Sequence, residues 1–145
     1  MTEQHGTILN NPEVRATVKQ AWTDSQPGVT GGHEEGGFIL RELAGNVGVV
    51  RWPKGTRNSI ILPPHPNCKI GACEIVATFH THPNTASDYL QEPSETDKRA
   101  VRDDPYLKGE SYEGEYVISQ EAIYFIASNG VVSEVGATQI IFVEE

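Results

Sequence analysis

Glu74-Ile75-Val76-Ala77-Thr78-Phe79-His80-Thr81-His82-Pro83 opens as a strand and closes on two histidines. Residues 74–80 are rich in β-branched and apolar side chains, the composition of a buried strand. Strand residues two apart share a face. In a strand continued to Pro83, His80 and His82 therefore project together, and their imidazoles can reach one divalent ion.

A catalytic zinc takes three protein ligands and leaves one position open, which makes water a nucleophile at neutral pH. The third ligand must come from another segment. Ser94-Glu95-Thr96-Asp97 opens a predicted helix that runs to about residue 102 or 103, with Ser94 as its N-cap and Asp97 in its first turn. A carboxylate at Asp97 can turn back toward His82. Ser94 and Asp97 also read as a capping box, and the two roles are compatible. A hydrolytic site further needs a base that is not a ligand. Glu34 and Glu35 both qualify, in Gly31-Gly32-His33-Glu34-Glu35-Gly36-Gly37-Phe38, and spacing leaves the choice between them open.

Outward from this centre, Asn10-Asn11-Pro12-Glu13 starts a helix by asparagine capping and proline in the first turn. Val14, Val18, Ala21 and Trp22 form its apolar face. Strands are predicted over 37–40 and 47–52, joined by the turn Ala44-Gly45-Asn46, and over 59–62. Residues 63–67 form an irregular proline-rich loop. Strands follow over 115–119, 122–128 and 131–135, with Asn129-Gly130 as a hairpin turn, and a closing strand over 140–143. The expected fold is one α+β domain over residues 1–145, a mostly antiparallel mixed sheet flanked by two or three helices.

Composition sets the outer limits. The chain has 145 residues, 37% of them hydrophobic, with 14 Gly and 9 Pro, which favours short elements and many turns over a helical bundle. With 20 acidic against 11 basic residues and a formal charge of -9, nucleic acid is excluded as a partner, because that binding rests on Lys and Arg neutralising phosphates. No apolar run approaches the roughly 20 residues of a membrane span, so no membrane partner is expected. Residues 1–6 lack a basic and then apolar leader pattern, and a cytoplasmic protein is the expectation. Cys68 and Cys73 are too few for a disulfide framework and read as reduced thiols.

Glu34-x-x-Gly37-Phe38, then His80-x-His82-Pro83, then Ser94-x-x-Asp97, resembles the JAB/JAMM (MPN-type) zinc metallopeptidases, in the form of a small stand-alone prokaryotic domain. The resemblance spans residues 31–102. It implies a cytidine deaminase-like α+β architecture and one Zn2+ per chain held by His80, His82 and Asp97. It implies Glu34, three residues before Gly37, as general acid/base, and Ser94 as donor to the oxyanion of the tetrahedral intermediate. The implied activity is hydrolysis of an amide or isopeptide bond, deubiquitinase-like, at the C-terminal tail of a ubiquitin-like or sulfur-carrier protein. Two alternatives stand beside it: a catalytically silent scaffold or binding module, and a zinc hydrolase of a small amide conjugate. Oligomeric state is not legible.

One departure from that pattern is the ten-residue segment 84–93, longer than the family's loop. It lies at the mouth of the expected site, as a lid or substrate selector, or it displaces Ser94 and Asp97. Ser87-Asp88 is the rival pair but lacks the Ser-x-x-Asp spacing, and Asp88 and Tyr89 read as exposed loop residues. His65 reads as a surface loop residue, His33 as a neighbour of the base, and Tyr112 and Tyr116 as packing residues.

Overall fold

The fold, seen in a computed structural model, is described over residues 8–86 and 91–143, with backbone only for Val143. Residues 87–90 of the 84–93 segment, including Ser87, Asp88 and Tyr89, lie outside the described residues. Helix α1 (Pro12–Asp24) starts as its sequence predicts: Asn11 Oδ1 accepts the N–H of Val14 at 3.1 Å and Pro12 takes the first position. Its face of Val14, Val18 and Ala21 is fully buried, with Trp22 half-buried beside it. The strands are β1 (Gly36–Arg41), β2 (Val47–Arg51), β3 (Lys69–Ile70), β4 (Cys73–His82), β5 (Gly114–Ser119), β6 (Ala122–Ala127) and β7 (Val132–Ala137). Helix α2 (Glu95–Asp103) lies between β4 and β5, and α3 (Thr138–Val143) follows β7.

These strands form one sheet in the order β2-β1-β4-β5-β6-β7, with β3 a short partner of β4. Every described pairing is antiparallel except β4 with β5. Parallel neighbours need a crossover, and α2 lies in that crossover. The expected α+β domain with a mostly antiparallel mixed sheet is what forms. Two apolar layers sandwich it. Ala77, Phe79, Tyr116 and Ile118 pack with α1 on one side. Phe38, Trp52, Val117 and Val101 of α2 pack on the other. Tyr112 and Tyr116 are buried packing residues, as expected.

A bulge in β4 assigns side chains to these layers. Ile39 pairs with Ala77 but Leu40 with Ile75, so Val76 is the extra residue. Val76 and Ala77 both join the α1 layer, and Ile75 joins the other. Beyond the bulge, strict alternation sends Phe79 to the α1 layer and Thr78, His80 and His82 to the α2 side. No helix among the described residues is long and apolar enough to cross a membrane.

Three expectations are corrected. Residues 59–62 form no strand: the N–H of Thr56 donates to Ser59 O at 2.8 Å and closes a turn. Ile60 and Leu62 pack inward while Ile61 is exposed, so the alternation is strand-like but no sheet edge lies beside it. Residues 140–143 are helical, in α3, not a closing strand. A four-residue apolar run carries no period of its own. Thr138 Oγ1 donates to Ser119 O at 2.7 Å and Phe142, one turn on, is buried, whereas Ile140 faces solvent. His65 is buried, not a surface residue. Its Nδ1–H donates to Pro63 O at 2.7 Å, its Nε2 lies 2.7 Å from Asp104 Oδ2, and its ring packs on Phe38. The proline-rich loop is thereby pinned to the turn before Pro105.

Candidate metal centre

Strand β4 reaches His82, two residues past the apolar run, so the condition for the two histidines to share a face is met. Both rings are buried, and their Nε2 atoms stand 3.1 Å apart. Asp97 meets them from the first turn of α2: Oδ1 lies 3.4 Å from His80 Nε2 and Oδ2 lies 3.3 Å from His82 Nε2. Ser94 and Asp97 form the full capping box, with Ser94 N–H donating to Asp97 Oδ2 at 2.8 Å and Asp97 N–H to Ser94 Oγ at 3.0 Å. The cap thus orients the carboxylate that faces the imidazoles.

The β1–β4 register separates Glu34 from Glu35. Gly36 pairs with His80, and the N–H of Thr81 donates to Glu35 O at 2.9 Å, which carries the same register one residue outward. Glu34 then falls opposite His82 and shares its face, and Glu35 falls opposite Thr81 on the other. Glu34 accordingly lines the cavity with both histidines. Glu35 turns away, to His33 Nε2 at 2.6 Å and Arg51 at 2.8 Å. His33 therefore serves Glu35 and not Glu34. The two glycines that follow permit the close ladder: a Cβ on Gly36 would stand 2.5 Å from the Trp52 ring and 2.7 Å from Phe79 O.

Glu115 is the residue that sequence reasoning missed. In the parallel ladder it pairs with Thr78, on the face of His80, and its buried carboxylate accepts the Nδ1–H of His80. His82 Nδ1–H donates to Gln91 O at 3.3 Å. With both Nδ1 atoms engaged by Glu115 and Gln91, both Nε2 atoms turn into the space shared with Asp97. Two imidazole nitrogens and a carboxylate facing one another could hold a metal ion. The ligand atoms of His80, His82 and Asp97 lie within 4.8 Å of one another, and the donor set suits zinc.

The electrostatics point the same way. Burial alone would depress His80, but the carboxylates of Glu115 and Asp97 outweigh it and hold the imidazole well above the ordinary histidine value. A proton stands in for the positive charge the site favours. Burial would raise Asp97, but the hydrogen bonds from His80 and His82 bring it well below the usual carboxylate range. Glu34 is shifted upward, chiefly by burial.

Around these groups lies a cavity of about 430 Å3, with Trp52, Ile60 and Leu62 on one wall and Ser94, Thr96 and Ala100 of the α2 region on another. Replacing Glu115 by Gln keeps an acceptor for His80 Nδ1–H but removes the charge. The expected result is a metal affinity lower by about 10–100-fold, read by competition with a chromophoric chelator. An unchanged affinity would mean that Glu115 only fills space. No protein-family model, curated protein or solved structure matches this chain.

Proposed function

We propose that this chain is a zinc-dependent metallopeptidase of the JAB/JAMM type that hydrolyses an amide or isopeptide bond, with the C-terminal tail of a ubiquitin-like or sulfur-carrier protein as its substrate. The observation that carries this reading is the meeting, on one face of the β1–β4 ladder and in one cavity, of Glu34 with His80, His82 and Asp97.

His80, His82 and Asp97 would hold the ion, which supplies a Lewis acid that polarises the amide carbonyl and acidifies water. The chain's own groups do the rest. Glu34 takes the proton of the attacking water and delivers it to the departing amine. Ser94 Oγ accepts the N–H of Asp97, which leaves its hydroxyl proton free for an oxygen that gains charge in the cavity. Trp52, Ile60 and Leu62 exclude bulk water from one side.

The test is a fusion protein whose junction follows Gly-Gly. Cleavage should be lost on chelation and restored by one equivalent of zinc. Binding of less than about a tenth of an equivalent at neutral pH would overturn the reading. Ser94→Ala should slow the chemical step about 10–1000-fold with KM little changed. It should also cost about 1 kcal/mol of stability as a lost cap, measured by urea unfolding. The stability loss without the kinetic one would leave Ser94 as a cap alone.

A further inference from the structure

Arg57 is the one Lys or Arg among the described residues that line the cavity, whose other ionisable walls include the carboxylates of Glu34, Asp97 and Glu115. No ion pair or hydrogen bond engages its guanidinium among the described residues. Its backbone, by contrast, is held from both sides. Thr56 O accepts the N–H of Glu34 at 2.7 Å, and the N–H of Gly55 donates to Glu34 O at 2.8 Å. Arg57 O accepts from Nδ2 of the fully buried Asn84, two residues after His82, at 3.1 Å. Asn84 Oδ1 also accepts the N–H of Gly32 at 2.7 Å, tying the segment that leads into Glu34. The turn itself is tight: a Cβ on Gly55 would stand 2.2 Å from Ser59 O. A cation unpaired among the described residues thus sits on a held turn, clipped to the segment of the base and to the residue two beyond His82.

The side of the cavity gives this cation a meaning. Glu34 delivers the proton to the departing amine, and the Arg57 turn is hydrogen-bonded to the backbone of Glu34, whereas Ser94 stands on the α2 wall. We infer that Arg57 forms a carboxylate-reading subsite on the leaving-amine side, so that the preferred substrate is an acyl or peptidyl amino acid with a free carboxylate next to the scissile amide. The inference rests on the hydrolase reading and narrows its substrate. In the reaction the C–N bond breaks, the oxygen of water bonds to the acyl carbon, and the amine leaves with the proton. The freed amino acid keeps its carboxylate on Arg57. A guanidinium suits this task because its forked donors match a carboxylate.

The test uses acetyl-Gly-Gly-Ala as the free acid and as the carboxamide. With the zinc-loaded protein, kcat/KM for the acid should exceed that for the amide by about fivefold or more. In Arg57→Gln the acid-to-amide ratio should fall toward one, and Arg57→Lys should keep part of it. A preference that survives in Arg57→Gln, or none in the parent protein, would overturn the inference. If neither peptide is cleaved, binding decides, by 15N chemical-shift titration of the zinc-loaded Glu34→Gln protein with both peptides. Tighter binding of the acid, lost when Arg57→Gln is added, keeps the subsite, and cleavage of the Gly-Gly fusion then decides the hydrolase reading separately. Equal binding of the two peptides sinks the subsite.

Discussion

Glu34→Gln leaves a folded protein that binds zinc as tightly as its parent and turns over about 100–10,000-fold more slowly. Glutamine has the same shape and fills the same place opposite His82, so the ladder, the Trp52 wall and the ligands stay in position. What it cannot do is accept a proton from water and return it to the amine. Glu35→Gln makes the contrast, because Glu35 lies on the other face with His33 and Arg51. Its loss should disturb stability and spare the chemistry. Activity retained in Glu34→Gln and lost in Glu35→Gln would reverse the assignment. A second readout is independent of turnover. In the metal-free protein the Glu34 carboxyl should titrate above the ordinary 4.5, because burial disfavours its charge and outweighs the pull of His80 and His82. A bound cation stabilises that charge, so zinc should bring the titration back down. Titration by 13C NMR with and without zinc reads both shifts, and a Glu34 that titrates normally in the metal-free protein would take away its buried, poised character.

The legible parts of the site are those set by local periodicity. Alternation along β4 puts His80 and His82 on one face, and a three-residue cap puts Asp97 in the first turn of α2; both depend on neighbours in sequence. The choice between Glu34 and Glu35 does not. Which of the two acids faces the histidines is set by the register with a strand more than 40 residues away, where one step of slippage exchanges the two faces. Glu115 is further from reach, since its role exists only through the parallel pairing of β4 with β5. An acid at the start of an otherwise apolar strand, Glu115-Tyr116-Val117-Ile118, was the available signal. The two misread segments share a cause. Residues 59–62 have the pattern of a strand without a ladder to join, and residues 140–143 have the apolar content of a strand without its spacing. In both, tertiary surroundings decide between conformations that composition leaves equal.

Asp97→Asn separates the two duties that meet at the head of α2. The amide oxygen still accepts the N–H of Ser94, so the helix start keeps much of its cap. The anionic ligand is gone, and a neutral amide is a poor third ligand beside two imidazoles. The expected loss in zinc affinity is about 100-fold or more, with occupancy well below one equivalent after gel filtration. The rise in Tm that zinc confers on the parent should vanish as well, because a ligand stabilises only the state that binds it. The metal-free protein carries its own sign. The native pKa of Asp97 lies below the ordinary 3.8, so its ionisation stabilises the fold above that pH and the contribution fades as pH falls through the native value. Asp97→Asn should therefore flatten the acid limb of metal-free stability, while Ser94→Ala should lower stability at every pH and leave zinc binding in place. Urea unfolding from pH 7 to pH 2, paired with zinc titration, distinguishes the two variants. Full zinc occupancy at parental affinity in Asp97→Asn would remove Asp97 from the ligands and leave it a helix cap facing two histidines.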